Sequence, residues 1–382
     1  MGVPGKPVRI EIAEGIDRVD AGVWDGLDGS GNPFVSHAFL GILEESRSAC
    51  VATGWQPVHL LLKDADGALA GAAPLYVKSH SYGEYVFDWG WADAYERAGG
   101  RYYPKLQCAV PFSPVPGPRL LGAGRRTALA QALRRAAEQM PVSSLHVTFA
   151  GEEEVAELEG AGFFRRRGIQ FHWHNRGYAD FEDFLATLKS SKRKSIRRER
   201  REVAEAGLRF ECLTGAAITG AAMRAFYPFY LATVDKRWGQ AYLTVEFFEL
   251  LARRMPDAVV LVAVHDGDEM VAAALNLRDG DTLYGRVWGS LDDYRFLHFE
   301  TCYYQAIEFA IRNGIARVEA GAQGPHKLQR GYEPVFTHSA HWIRDPGLRD
   351  PVERFVQREH AEQLEQMEEL RQALPFRRTT DG

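Results

Sequence analysis

Residues 58–75, VHLLLKDADGALAGAAPL, read as an apolar strand that breaks at an Asp/Gly turn and resumes as a strand of small residues. The same pattern recurs at residues 260–277, VLVAVHDGDEMVAAALNL. Each copy is followed much later by a strand, a short helix and a Gly-aromatic step, LEGAGF at 158–163 and LQRGY at 328–332. Repetition at this distance means two copies of one domain fold rather than a short-period solenoid. The cleft between the copies is where a site is expected.

The length of 382 residues gives each copy room for its own core. Hydrophobic content of 46% and charged content of 25% describe a globular chain, and no apolar run is long enough to cross a bilayer. The N-terminal MGVPGKPVRIEIAEG lacks the basic, apolar, small-residue order of a secretion signal, so the expected compartment is the cytoplasm. Cys50, Cys108, Cys212 and Cys302 have no C-x-x-C spacing, so neither a zinc knuckle nor a disulfide framework is indicated. A net charge of -5 excludes a surface that is basic throughout but leaves room for a local basic patch.

Ser36 is placed to cap a helix carrying Phe39, Leu40 and Leu43. After the first hairpin, EYVFDW at 84–89 has strand composition and the Pro/Gly-rich run 111–118 is loop or edge. A helix over 127–140, a strand at 145–149, an acidic helix over 152–159 and a strand at 169–173 complete the first copy. The second opens with helices over 181–206, 223–234 and 245–255, followed by strands at 259–264, 271–277 and 282–288. A helix over 299–312 ended by Gly314, a strand at 315–320, a turn-helix near 326–330 and a strand at 335–343 close it. The expected domains are 1–175 and 176–382, the second with a basic helix at 182–206 and a charged C-terminal helix at 350–374.

This order, with GAGF at 160–163 and RGYEPV at 330–335, resembles the GNAT N-acetyltransferase fold. Two such units, the second opened by a basic helix, resemble the Fem-type aminoacyltransferases of peptidoglycan synthesis. The runs at 78–95, 296–307 and 320–342 are similar to a bacterial Fem-like N-acyltransferase family. The resemblance covers roughly residues 30–345. It implies an α/β (α+β) chain of two tandem GNAT-like domains, each a mixed, mostly antiparallel sheet flanked by helices. The function implied is transfer of an acyl or aminoacyl group from a thioester or tRNA ester to an amine in the interdomain cleft. No tightly bound cofactor is implied; acyl-CoA, acyl carrier protein or aminoacyl-tRNA would serve as co-substrate, and a small molecule or cell-wall precursor as acceptor.

Acyl transfer needs a proton acceptor for the amine and donors for the developing oxyanion. Glu319 ends a strand, and Gln323, His326, Lys327 and Arg330 follow it in a Gly-rich turn. In Fem-type enzymes a lysine just before the Gly-aromatic step is implicated in stabilising the tetrahedral intermediate; Lys327 and Arg330 are the nearest cations, neither at the usual spacing from Gly331. Lys327, Glu319 and His326 are the catalytic candidates, with a solvated helix cation as the other reading of Lys327. Period two puts Tyr284, Arg286 and Trp288 on one strand face, as a channel lining or as ordinary aromatic packing. His298 and Glu300 lie at a helix start, where an acid also simply satisfies the helix dipole.

In the first copy, Arg119, Gly122 and Gly124 fit the R-x-x-G-x-G pattern that holds coenzyme A pyrophosphate in GNAT enzymes, a short pattern that also arises by chance. The cofactor candidates are Arg119, Gly122, Gly124 and His298. The aromatic-polar segment 79–103 reads as a binding loop or an elaborate connection, and Tyr102, Arg237, Trp238 and Arg330 join Tyr284, Arg286 and Trp288 as substrate contacts. His172 and His174 share a strand face but have no third ligand, so no metal is expected.

From Lys189 to Arg201 the chain crowds Lys189, Lys192, Arg193, Lys194, Arg197, Arg198, Arg200 and Arg201 against Glu199 alone. Like charges four apart on a helix repel, and an anion such as tRNA, acyl carrier protein, coenzyme A or an anionic membrane would relieve the repulsion; a solvated face is the plainer reading. A non-catalytic module binding an anionic polymer or cell-wall precursor is the competing function. The oligomeric state is left open.

Overall fold

The computed structural model describes residues 9–236, 239–321 and 324–377. Its strands, in chain order, are β1 (Arg9–Ala13), β2 (Trp55–Pro57), β3 (His59–Lys63), β4 (Leu69–Ala73), β5 (Leu75–Lys78), β6 (Lys105–Cys108), β7 (Ser144–Ala150), β8 (Phe164–His174), β9 (Arg209–Thr214), β10 (Val259–Asp266), β11 (Glu269–Arg278), β12 (Thr282–Ser290), β13 (Arg317–Glu319) and β14 (Glu333–Ile343). Two compact units form. One comprises Met1–Gly168 and Phe336–Leu364, the other Ile169–Val335 and Glu365–Gly382. Neither is continuous in sequence, whereas the sequence is read with a single boundary between residues 175 and 176.

In the first unit β1, β3 and β4 make a small antiparallel sheet, and β2-β5-β6-β7-β14 run in that order with β6 and β7 parallel. The hairpin read at 58–75 is present, with Leu60 opposite Ala73, but it is divided between the two sheets. Pro74 separates β4 from β5, and a proline has no N–H to continue a ladder. Helices Arg126–Gln139 and Glu152–Gly160 cover one face, where Leu129, Leu133, Val155 and Leu158 pack on Leu106, Leu145 and Trp342.

In the second unit the order is β8-β13-β12-β11-β10-β9, with β12 and β13 parallel. The hairpin here stays within one sheet, from Val259 opposite Leu277 to Asp266 opposite Glu269, with one register shift between Val264 and His265. A helix beginning at Leu297 passes through a π turn, Glu300–Tyr304, into Gln305–Arg312, and packs Tyr303, Tyr304, Ile307 and Ala310 on Leu283, Val318 and Trp173. Each unit is a mixed, mostly antiparallel sheet flanked by helices, the GNAT-like arrangement that the resemblance implies.

The registers repeat residue for residue. Leu106, Leu145 and Trp342 lie side by side across β6, β7 and β14, as Leu283, Val318 and Trp173 do across β12, β13 and β8. One residue along, on the opposite faces, Gln107, His146 and His341 correspond to Tyr284, Glu319 and His172. The closing strand of each unit therefore comes from the other half of the sequence.

Three local readings change. EYVFDW is not a strand: 84–88 is irregular and Trp89–Arg97 is helical, because Glu84 and Asp88 turn inward to Lys105 while Tyr85, Phe87 and Trp89 face outward. The helix read over 181–206 is two, Phe181–Ala186 and Ser190–Glu205. Between them the backbone of Thr187 and Lys189 bonds to that of Arg377 and Pro375, which holds the link extended. Tyr284 and Trp288 do not share a face: the register shifts so that Tyr284 opposes Leu277 and Trp288 opposes Ala274, three residues apart on β11, with Arg286 as the extra residue.

Candidate functional site

The parallel pair β12–β13 is short, ending at Tyr284 opposite Glu319, while β12 continues to Ser290 paired with β11 only. Gly285 begins the parted segment, and a Cβ there would lie 3.2 Å from the Glu319 carbonyl oxygen, so only glycine fits without displacing that strand. At this fork Glu319 is 4% exposed, and its neighbours across the strands are Tyr284 and His172. Tyr284 Oη donates to Asp279 at 2.6 Å. Arg317 Nε lies 3.1 Å from Glu319 Oε1. Among the described residues Glu319 Oε2 has no hydrogen-bond partner, nor has His172 Nε2, which lies 3.8 Å from it.

Burial governs the electrostatics. It pushes the Glu319 carboxyl up to about 7, against the opposing pull of Arg317 and Arg286 and with help from Asp279. Burial also lowers His172 to about 3, reinforced by Arg317, His174 and Lys327, so its ring is neutral. A carboxyl that titrates near neutrality beside a neutral imidazole is a group able to take a proton and pass it on.

On the turn after β13, Lys327 is buried and its Nζ donates to the Gly321 carbonyl at 2.9 Å, so it is not a solvated helix cation. His326 Nε2 is hydrogen bonded to Tyr303 Oη at 2.8 Å and its ring packs near His298, Phe299 and Tyr303. The π turn presents Tyr303 there; such turns commonly sit at functional sites. His298 packs against Trp288 and Tyr303, within a cluster of rings. Arg330 is committed internally: it bonds Glu199 at 2.9 Å, Tyr304 Oη at 3.0 Å and the His326 carbonyl at 2.9 Å, and lies over Phe299. Arg286 is half-buried at the register shift, and Trp288 packs on the cluster of Val203, Val264 and Leu297. Arg237, Trp238 and Gln323 lie outside the described residues.

In the first unit the corresponding row is closed. His146 Nδ1 and His341 Nδ1 are hydrogen bonded at 2.8 Å, His146 Nε2 meets Ser144 Oγ at 2.8 Å, and His341 Nε2 meets Ser339 Oγ at 2.8 Å. Beside it lies a buried charge cluster in which Lys105 Nζ donates to Ser81 at 2.8 Å, to Glu84 at 2.7 Å and to Asp88. Tyr102 is wholly buried and donates to Asp88 at 2.7 Å. Arg119 is a brace: its nitrogens donate to the carbonyls of Thr148, Pro118 and Val115. The amides of Arg119 and Leu120 are taken by Glu154, a carboxylate standing where a phosphate would. Gly122 passes so close to β4 that a Cβ would lie 2.7 Å from the Ala70 carbonyl, and Gly124 turns at a φ of 69° in open space.

Sequence reasoning sets His172 aside with the metal reading and does not find Tyr303. The His-Trp dipeptide at 172–173 and again at 341–342 marks the equivalent positions and is legible. Among the described residues no group of three His, Cys, Asp or Glu is arranged to hold a metal ion, and no helix is long and apolar enough to cross a membrane.

No curated protein sequence matches the chain. Among solved structures it is similar to FemX, at 11% identity and a TM-score of 0.56, over 88% of this chain and 98% of that one. It is similar also to a conserved protein of unknown function from Bacteroides thetaiotaomicron VPI-5482, at 12% identity and a TM-score of 0.53, over 88% of this chain and all (100%) of the other. Both likenesses are of fold. The model of the FemAB-like family, described as peptidoglycan biosynthesis/recognition, matches residues 15–378. With two GNAT-like units built on one repeated register and a family match over nearly its whole length, the chain belongs to the FemAB-like family.

Proposed function

We propose that this protein is an N-acyltransferase that moves an acyl or aminoacyl group from a thioester or tRNA ester to an amine, with the second unit carrying the chemistry. The observation that supports this most is Glu319: a buried carboxyl with an unpartnered oxygen, titrating near neutrality, at the end of a parallel pair that parts beyond it. The first unit has a histidine in that position, engaged on both ring nitrogens, and so lacks an available base.

The acceptor arrives as an ammonium group and gives a proton to the Glu319 carboxylate. Its nitrogen attacks the acyl carbon, charge develops on the carbonyl oxygen, and the buried Lys327 ammonium, on the turn that follows Glu319, is the candidate to balance it. The C–N bond forms as the C–S or C–O bond to the carrier breaks, and the departing sulfur or oxygen takes the second nitrogen proton. On the basic helix, Arg200 is occupied by Glu300 and Glu308, whereas Lys194, Arg198 and Arg201 are exposed, the two arginines in loose ion pairs with Glu202 and Glu205 at 3.8 and 3.9 Å, which favours an anionic carrier such as tRNA or acyl carrier protein. Family membership favours a cell-wall precursor as acceptor.

Incubation with acyl-CoA, acyl carrier protein and charged tRNA pools, followed by mass spectrometry, tests this reading. A new amide and consumption of one carrier are expected. If no carrier is consumed or bound, the chain is instead a binding module.

A further inference from the structure

The chemistry above leaves His172 unused, although its position is unusual. The residue is 7% exposed, lies across from Glu319 on β8, and has an Nε2 without a hydrogen-bond partner. Leaving a buried polar atom unpaired costs its desolvation without return. Here two such atoms, Glu319 Oε2 and His172 Nε2, face each other at 3.8 Å, and a third atom set about 2.9 Å from each would satisfy both. The charged and titratable surroundings are Arg317 on β13, Asp279, Tyr284 and Arg286 on or beside β12, His174 on β8, and Lys327 on the following turn. None of these is hydrogen bonded to either orphan atom.

We propose that Glu319 Oε2 and His172 Nε2 together form the binding position for the primary ammonium group of the acceptor. This rests on the reading of Glu319 as the base and adds the partner that orients the nucleophile. An ammonium group has only N–H donors; with the His172 ring proton on Nδ1, the tautomer this proposal assigns, the position offers two acceptors, a carboxylate oxygen and the Nε2 lone pair. One N–H points at each. When the first proton passes to Glu319, the lone pair is freed along that same bond; the N–H held by His172 persists, and rotation of the amine about it carries the lone pair from Glu319 to the acyl carbon. His172 stays neutral throughout; Glu319 later returns its proton to solvent. The position selects a primary ammonium group over a tertiary or quaternary one.

The test uses the full-length chain labelled with ¹⁵N-histidine, in buffer alkaline enough to ionise Glu319, titrated with methylammonium chloride. The His172 signal is assigned by its absence in His172→Gln, or in His172→Phe should the first variant fail to fold. A saturable shift of the Nε2 resonance is expected, absent with tetramethylammonium and lost in Glu319→Gln. In a transferase assay with the same probe, His172→Phe is expected to raise the acceptor KM about tenfold, the weight of one buried hydrogen bond, and to leave the carrier KM unchanged. An Nε2 resonance unmoved by methylammonium, or moved equally by tetramethylammonium, overturns the proposal. So does an unchanged acceptor KM in His172→Phe. If Glu319→Gln is inactive in either case, the reading of Glu319 as the base still stands.

Discussion

His146 and His341 are hydrogen bonded to each other, Nδ1 to Nδ1, at 2.8 Å, and their outer nitrogens are held by Ser144 and Ser339. In the second unit the matching positions are Glu319 and His172, which face each other unbonded. One duplicated register has thus been sealed in one unit and left open in the other.

The sealed pair makes the protein sensitive to acid. Burial lowers His146 to about 3 and His341 well below its ordinary value, whereas both titrate near 6.5 when unfolded. The unfolded chain therefore binds more protons below that pH, and stability falls as pH drops from about 6.5 toward 3, by about 1.4 kcal/mol per pH unit for His146, with His341 acting in the same direction. Thermal melts across this range are expected to show a shallower slope for the double variant His146→Asn, His341→Asn. An unaltered slope would remove these rings as the cause.

Glu319 has the opposite sign. Its folded value near 7 lies above the ordinary 4.5, so the folded state holds the extra proton, and stability declines as pH rises through that window. Glu319→Gln has no proton to lose. Relative to the wild type it is expected to gain stability between these pH values, on the order of 3 kcal/mol at most, as read by urea denaturation. A gap between the two proteins that stays constant with pH would contradict this.

Lys105 and Arg330 are structural cations. Lys105→Met leaves Glu84 and Asp88 buried without their shared partner, and Arg330→Met does the same to Glu199. Each is expected to cost about 3–5 kcal/mol in folding stability. For Arg330→Met the loss should appear in the melting temperature rather than in the KM of a substrate; a raised KM with an unchanged melt would instead make Arg330 a ligand contact.

The outer face of the basic helix is a different matter. Lys194→Glu, Arg198→Glu and Arg201→Glu together are expected to weaken binding of tRNA or acyl carrier protein and to flatten its dependence on salt, by a log–log slope of roughly 0.7–0.9 for each phosphate no longer neutralised. Equal salt slopes for wild type and variant would place the carrier elsewhere.

Much of this is legible in the sequence. The repeated hairpin, the helix order, the Gly-aromatic steps and Glu319 at a strand end all follow from local pattern. What local pattern does not carry is partnership across long separations. The strand composition of EYVFDW loses to Glu84 and Asp88 reaching Lys105, many residues on. R-x-x-G-x-G at Arg119 looks like a phosphate loop until Glu154, 35 residues later, occupies its amides. Period two on β12 is broken by one extra residue, which turns Tyr284 and Trp288 to opposite faces. That β14 pairs with β7, and β8 with β13, is likewise a choice between two equivalent edges that a His-Trp dipeptide in both strands does not decide.

Formation of the amide product by wild type and by Glu319→Gln, supplied with the same acyl carrier and amine, tests the central claim most directly. The wild type is expected to form product, and the variant to form it about 10²–10⁴-fold more slowly while binding carrier equally well. A variant as fast as the wild type would contradict the assignment of the second unit's open row as the site of transfer.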